Sequence, residues 1–190
     1  MMDAKAIADG TLAALDAGTY DAPDGTAIAI RDLVDACVSS TRMYEPDELQ
    51  YLYRQIVAQP ALESPDTRYS LVNQTTLQGC AELAASQQYQ RIGVLNFASA
   101  KKPGGGFLNG MMTQEESLAR SSALYPSLRQ CPQFYEFHRN QGTCLYSDRM
   151  IYSPACPVLR DDEGHWLARP YAVDFITSPA PNVTACPRRR

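Results

Sequence analysis

Two adjacent carboxylates, Glu115 and Glu116, follow three consecutive glycines, Gly104, Gly105 and Gly106, after a short interval ending in Thr113 and Gln114. Three glycines in a row remove three side chains and admit backbone dihedrals that other residues resist. Their peptide N–H groups can then converge on an anion. An acid pair beside them can move a proton. Together these residue types describe a site that grips a phosphate-bearing substrate and breaks a bond near it. Asn96, at the end of an apolar run over 92–95, adds a polar contact upstream. For the glycines alone, a tight turn without a ligand is an equally good account.

The acids have a bland reading too. Thr113 and Glu116 stand three apart, the spacing of a capping box in which the threonine oxygen accepts the Glu116 N–H and the carboxylate reaches back. Consecutive helical residues point about 100 degrees apart. A symmetric two-carboxylate glycosidase therefore does not fit; one acid does the chemistry while the other fixes a hydroxyl or the loop. A helix start lowers a carboxyl pKa, whereas a general acid at neutral pH needs it raised. A neighbouring carboxylate and desolvation push upward. The order of residues does not set which of them wins.

Familiar nucleotide loops do not match. No lysine follows Gly110 in the manner of a G-x-x-x-x-G-K-[ST] loop, and position 109 of the G-x-G-x-x-G pattern begun by Gly104 is asparagine.

The elements that must hold these residues follow from periodicity. Ala4, Ile7, Ala8, Leu12 and Leu15 predict a helix over 3–17 with Gly18 as its stop. A turn over 21–25, a short strand over 26–30 and a helix over 32–39 come next. Pro46, Asp47 and Glu48 open another helix, with Leu49, Leu52, Tyr53, Ile56 and Val57 as its apolar face. Pro60 and Pro65 bracket a loop. Residues 1–66 thus read as a mainly helical accessory region. Residues 67–190 read as the catalytic region, beginning with a strand over 68–72, a helix over 75–86 and a strand over 91–97. That order predicts a βαβ unit with the glycines at its ligand-binding end. A helix over 116–125, a helical or irregular stretch to His138, and strands over 150–153 and 171–177 around a turn over 161–164 complete the chain. Tyr135, Phe137 and Trp166 are suited to stacking on a base, but packing explains each as well.

At 190 residues, 45% hydrophobic and 20% charged, the chain suits one well-buried domain. A formal charge of -4 gives no general attraction to nucleic acid. No apolar run is long enough to span a membrane, and the start does not read as a secretion signal. Six scattered cysteines without a close pair read as reduced thiols in a cytoplasmic protein, and no metal site is expected.

At the glycine and acid motif the sequence resembles the bacterial-type poly(ADP-ribose) glycohydrolases of the macrodomain superfamily. Their signature is a triple glycine, six to eight residues, then Q-E-E; here seven residues separate Gly106 from Gln114-Glu115-Glu116. Val94-Leu95-Asn96-Phe97-Ala98-Ser99, Gly18-Thr19-Tyr20 and Ile176-Thr177-Ser178-Pro179-Ala180-Pro181-Asn182 agree as well, so the resemblance spans residues 5–182. It implies a macrodomain-like three-layer α/β/α fold with a mixed, partly parallel sheet behind the helical N-terminal extension. It implies hydrolysis of ribose–ribose O-glycosidic bonds in poly(ADP-ribose), mainly from chain ends. Glu116 would be the general acid and base, and Glu115 its partner on ribose hydroxyls. Asn96 would hold the ribose near the scissile bond, and Gly104, Gly105 and Gly106 would line the diphosphate, with Asn109 and Gln114 as supports. No cofactor is implied. Partners would be poly(ADP-ribose) or ADP-ribosylated proteins, with ADP-ribose as product, and the chain is expected to be a monomer. In the family a second glycine-rich loop lies beyond the P-A-P-N segment. Eight residues follow Asn182 here, so a catalytic region shortened at its C-terminus is expected. A non-hydrolytic ADP-ribose-binding module or an inactive fragment is the alternative.

Overall fold

The computed structural model describes residues 3–59, 67–142 and 145–181. The first helix, α1 (Ala4–Ala17), starts at Asp3, whose carboxylate accepts the Lys5 N–H at 3.1 Å. It ends where Gly18 turns left-handed (φ 73) and returns its N–H to Ala14 O. Its inner face is Ile7, Ala8, Thr11, Ala14 and Leu15, the expected helical spacing. Strands β1 (Thr19–Asp21) and β2 (Ala27–Ala29) form a small antiparallel pair. Helix α2 (Arg31–Ser40) leads into β3 (Arg42–Tyr44), and α3 (Pro46–Ala58) follows.

Contrary to the amphipathic reading, α3 buries none of its residues; Tyr53, Ile56 and Val57 are exposed. A local stripe specifies which face a helix offers, but burial needs an opposing surface. The loop expected between Pro60 and Pro65 falls within 60–66, outside the described residues, as does the proposed division at 66. Ile30, Val34 and Cys37 from before it share a hydrophobic cluster with Val94, Val173 and Phe175 from after it.

Residues 67–73 carry no regular structure, and Tyr69 and Leu71 are exposed, so the strand expected over 68–72 is absent. Helix α4 (Thr76–Ser86) does form, opened by a complete capping box between Thr75 and Gln78. Strand β4 (Gly93–Ala98) then alternates exposed and buried side chains. After the glycine loop come a 3-10 turn (Phe107–Asn109), α5 (Gln114–Ser121), α6 (Leu124–Leu128) and α7 (Pro132–Asn140). The single helix expected over 116–125 is broken because Ser122 turns extended and bridges to Val158. Its hydroxyl donates to Leu118 O and accepts the Leu124 N–H.

Strands β5 (Met150–Arg160) and β6 (Trp166–Pro179) form a long antiparallel hairpin, longer at both strands than the sequence signals. Prolines 154 and 157 obscured β5. A register shift between Ser153 and Cys156 accommodates the irregularity, and Asp174 accepts the Ala155 N–H there at 2.8 Å. The sheet order is β3-β5-β6-β4, and only the β4–β6 pairing is parallel. The parallel neighbour of β4 is thus the late strand β6, which corrects the predicted βαβ unit. The crossover runs through α5, α6, α7 and β5. Helices α2 and α6 pack on β5, α4 on β6 and α1 on α5, around a core that includes Leu118, Leu124, Phe134, Val158 and Phe175. None of the helices is long and apolar enough to cross a membrane, among the described residues.

Candidate active site

Strand β4 delivers Asn96 into the interior. Its register sets Asn96 opposite Thr177 of β6, and Asn96 Nδ2 donates to Thr177 Oγ1 at 3.1 Å. Beyond β4 the chain turns back over the N-terminus of α5, whose first turn carries Glu115 and Glu116. Both acids are nearly enclosed, at 3% and 5% exposure.

The glycines are needed for that closure. Gly104 and Gly105 sit at φ 67 and 60, where other residues are strained. A Cβ on Gly105 would collide with Glu116 Oε1 and lie 3.0 Å from Glu115 Oε2. The Gly106 N–H donates to Glu116 Oε1 at 2.8 Å, while the Gly105 N–H closes a turn on Lys102 O at 3.1 Å. The Gly106 N–H is therefore spent on the protein's own carboxylate.

The capping box expected at Thr113 does not form. Thr113 is the N-cap residue, but its side chain caps no backbone N–H; its hydroxyl donates to Glu116 Oε2 instead. The balance between helix start and desolvation is resolved at Glu115. Burial pushes this carboxyl up to about 7 from the ordinary 4.5, and the Glu116 charge adds to the rise. The Ser99 N–H on Glu115 Oε2 at 2.7 Å, the Asn96 amide and the Gly104 N–H pull the other way without cancelling it. With Asn96 Nδ2 on Thr177, Asn96 Oδ1 and Glu115 Oε1 are each buried acceptors without a hydrogen-bond partner among the described residues.

The acids line a cavity of about 490 Å³ together with Phe97, Ser99, Lys101, Thr113, Tyr146, Ala180 and Pro181. Asn96 and the three glycines lie behind the carboxylates, outside that lining. Asn109 is exposed in the 3-10 turn and does not join the cavity. Gln114 borders a separate concavity of about 280 Å³ with Thr76 and Ser117. Ser99, Thr113, Thr177 and Tyr146 were missed as individual site residues. Ser99 and Thr177 fall in segments that carried the resemblance, but neither has a side chain that announces chemistry.

The aromatic residues suited to base stacking are engaged elsewhere. Trp166 stacks on Tyr20 at 4.7 Å, Tyr135 is buried, and the Arg149 guanidinium lies 3.4 Å over the Phe137 ring. Cys37, Cys80, Cys131 and Cys156 are free buried thiols; Cys144 and Cys186 lie outside the described residues. Asp161, Glu163 and His165 on the β5–β6 hairpin bring potential metal-ligating atoms within 4.8 Å of one another, and His165 already hydrogen-bonds Asp161 at 3.1 Å.

A mixed, partly parallel sheet covered by helices, with a buried acid pair folded under a glycine loop, defines a macrodomain-like α/β protein. The model of the family described as microbial-type PARG, catalytic domain, matches residues 8–161, and the chain belongs to that family. Poly(ADP-ribose) glycohydrolase from Thermomonospora curvata superimposes with a TM-score of 0.91 at 47% identity, over 96% of this chain and 65% of that one. The same organism's enzyme bound to the inhibitor ADP-HPD gives 0.88 at 46% identity, over 98% and 66%. The Deinococcus radiodurans glycohydrolase in complex with ADP-ribose gives 0.71 at 36% identity, over 80% and 59%. The chain thus spans 66% or less of the length of these relatives. No curated protein matches it.

Proposed function

We propose that this chain hydrolyses the ribose–ribose O-glycosidic bonds of poly(ADP-ribose), mainly from chain ends, and releases ADP-ribose. The observation that carries the reading is the acid pair: two nearly enclosed carboxylates on a cavity wall, one with its pKa raised to about 7. Such a pair holds a proton near neutral pH, which a general acid requires. Membership of the family and the ADP-ribose bound to the Deinococcus relative support the substrate class.

In this mechanism Glu115 stores the proton and Glu116 delivers it. Glu116 protonates the departing ribose oxygen as its bond to the anomeric carbon breaks. Water adds to that carbon and returns a proton to the Glu116 carboxylate. One water is consumed, and the products are a ribose hydroxyl on the shortened polymer and a free anomeric hydroxyl on ADP-ribose. Lys101 in the cavity lining answers the diphosphate charge, and the glycine loop holds Glu116 through the Gly106 N–H. Asn96 steadies Glu115 from behind.

Incubation with poly(ADP-ribose) is expected to release ADP-ribose, and Glu116→Gln to keep ADP-ribose binding while lowering release by about 100-fold or more. Equal turnover by the two proteins refutes the assignment of Glu116. Binding without release by the wild type establishes a binding module instead.

A further inference from the structure

Gln114 was expected to support the substrate, yet its side chain is occupied by the protein itself. Its Oε1 accepts the Phe97 N–H at 2.9 Å and its Nε2 donates to Leu95 O at 2.8 Å. The two ends of one planar amide thus bind two main-chain groups on the same edge of β4. The opposite edge of β4 belongs to β6, where Ile92 O receives the Asp174 N–H at 2.8 Å and Ala98 O the Ala180 N–H at 3.0 Å. In a strand, successive residues direct their peptide groups to opposite sides. Leu95 and Phe97 therefore face outward, and the Gln114 amide takes the place that a peptide unit of a neighbouring strand would fill.

The position of this amide gives it a role beyond covering an edge. Leu95 and Phe97 flank Asn96, and Gln114 immediately precedes Glu115. The same side chain ties the strand that carries Asn96 to the helix turn that carries the acid pair. The tie thus adjoins Asn96 on one side and Glu115 on the other, both buried. We infer that Gln114 is a positioning residue: its amide locks β4 to the first turn of α5 and holds Asn96, Glu115 and Glu116 in register without touching the substrate. The inference rests on the hydrolytic reading for its effect on rate, but the lock itself is testable without it.

Two variants of the full chain separate the possibilities. Gln114→Met keeps the side-chain length and removes both hydrogen bonds. Gln114→Glu keeps the acceptor for Phe97 and, when ionised, sets a second acceptor against Leu95 O. Hydrogen exchange at the Phe97 amide, followed by NMR, is expected to quicken by about tenfold in Gln114→Met, the size of one lost hydrogen bond. In polymer hydrolysis kcat should fall by about 10- to 100-fold with KM within about threefold, as for misaligned groups that do not bind substrate. Gln114→Glu should regain part of the lost kcat, relative to wild type, as pH falls and its carboxyl becomes a donor to Leu95 O. A simple packing role predicts no such rescue. Unchanged Phe97 exchange in Gln114→Met overturns the lock. A raised KM with unchanged kcat overturns the positioning role and makes Gln114 a substrate contact. A wild type that releases no ADP-ribose refutes the hydrolytic reading, and the exchange measurement still decides the lock.

Discussion

Replacing Glu115 by glutamine tests the physical basis of the site most directly. The folded chain holds this carboxyl at about 7 against an ordinary value of 4.5, chiefly because it is buried. Between those values the folded state binds the proton and the unfolded state releases it. Stability therefore falls as pH rises through the window, and the full penalty is present above about 7. The rise corresponds to about 3 kcal/mol. Glutamine cannot ionise and escapes the penalty, but it loses one acceptor oxygen among the Ser99, Gly104 and Asn96 contacts. That loss is the same at every pH and drops out of a difference. Thermal unfolding of wild type and Glu115→Gln, followed by circular dichroism from about pH 4 to about pH 8.5, should show the variant gaining about 3 kcal/mol relative to wild type across the range. For a chain of this size that is about 6 to 12 °C in Tm. The gain should be concentrated between the two pKa values. A difference that stays constant with pH means Glu115 titrates as in water, and the proton store it supplies is lost from the mechanism.

The same proton store sets the rate profile, so ADP-ribose release should decline as pH rises through about 7, and a profile that climbs there refutes Glu115 as reservoir. Gly105→Ala places a methyl group against Glu116 at a left-handed backbone position. It should cost about 1–2 kcal/mol of stability and lower release by at least about tenfold, measured by urea unfolding and the polymer assay. Phe175→Ala, in the fully enclosed core, should cost about 3–5 kcal/mol in urea unfolding, whereas Ile56→Ala on the exposed face of α3 should stay within about 0.5 kcal/mol. A large loss at Ile56 would show that α3 buries its apolar face after all.

Local chemistry made several elements legible. Gly18 ends α1 because a left-handed cap suits glycine, and Thr75 with Gln78 opens α4 through adjacent side-chain and backbone groups. The apolar run over 92–95 marked β4 in the same way. The failures share a cause. Residues 68–72 alternate like a strand, but a strand exists only with a paired edge. One edge of β4 is taken by β6, and the Gln114 amide occupies part of the other. The apolar stripe of α3 is real but, among the described residues, none of it is buried. Thr113 and Glu116 have the spacing of a capping box, yet the threonine hydroxyl donates to the carboxylate, whose other oxygen accepts the Gly106 N–H.

The order of residues by itself settled the family, the acid pair and the loop beside it, since a motif of fixed spacing along the backbone constrains what its own neighbours can do. Tertiary structure alone decided how far each carboxyl is shut from solvent, where the Gly106 N–H points and what Gln114 holds. Each of those depends on solvent exclusion and on partners from β4 and β6, and neither the dielectric around a side chain nor a contact between strands distant in the chain is written in any short stretch of it.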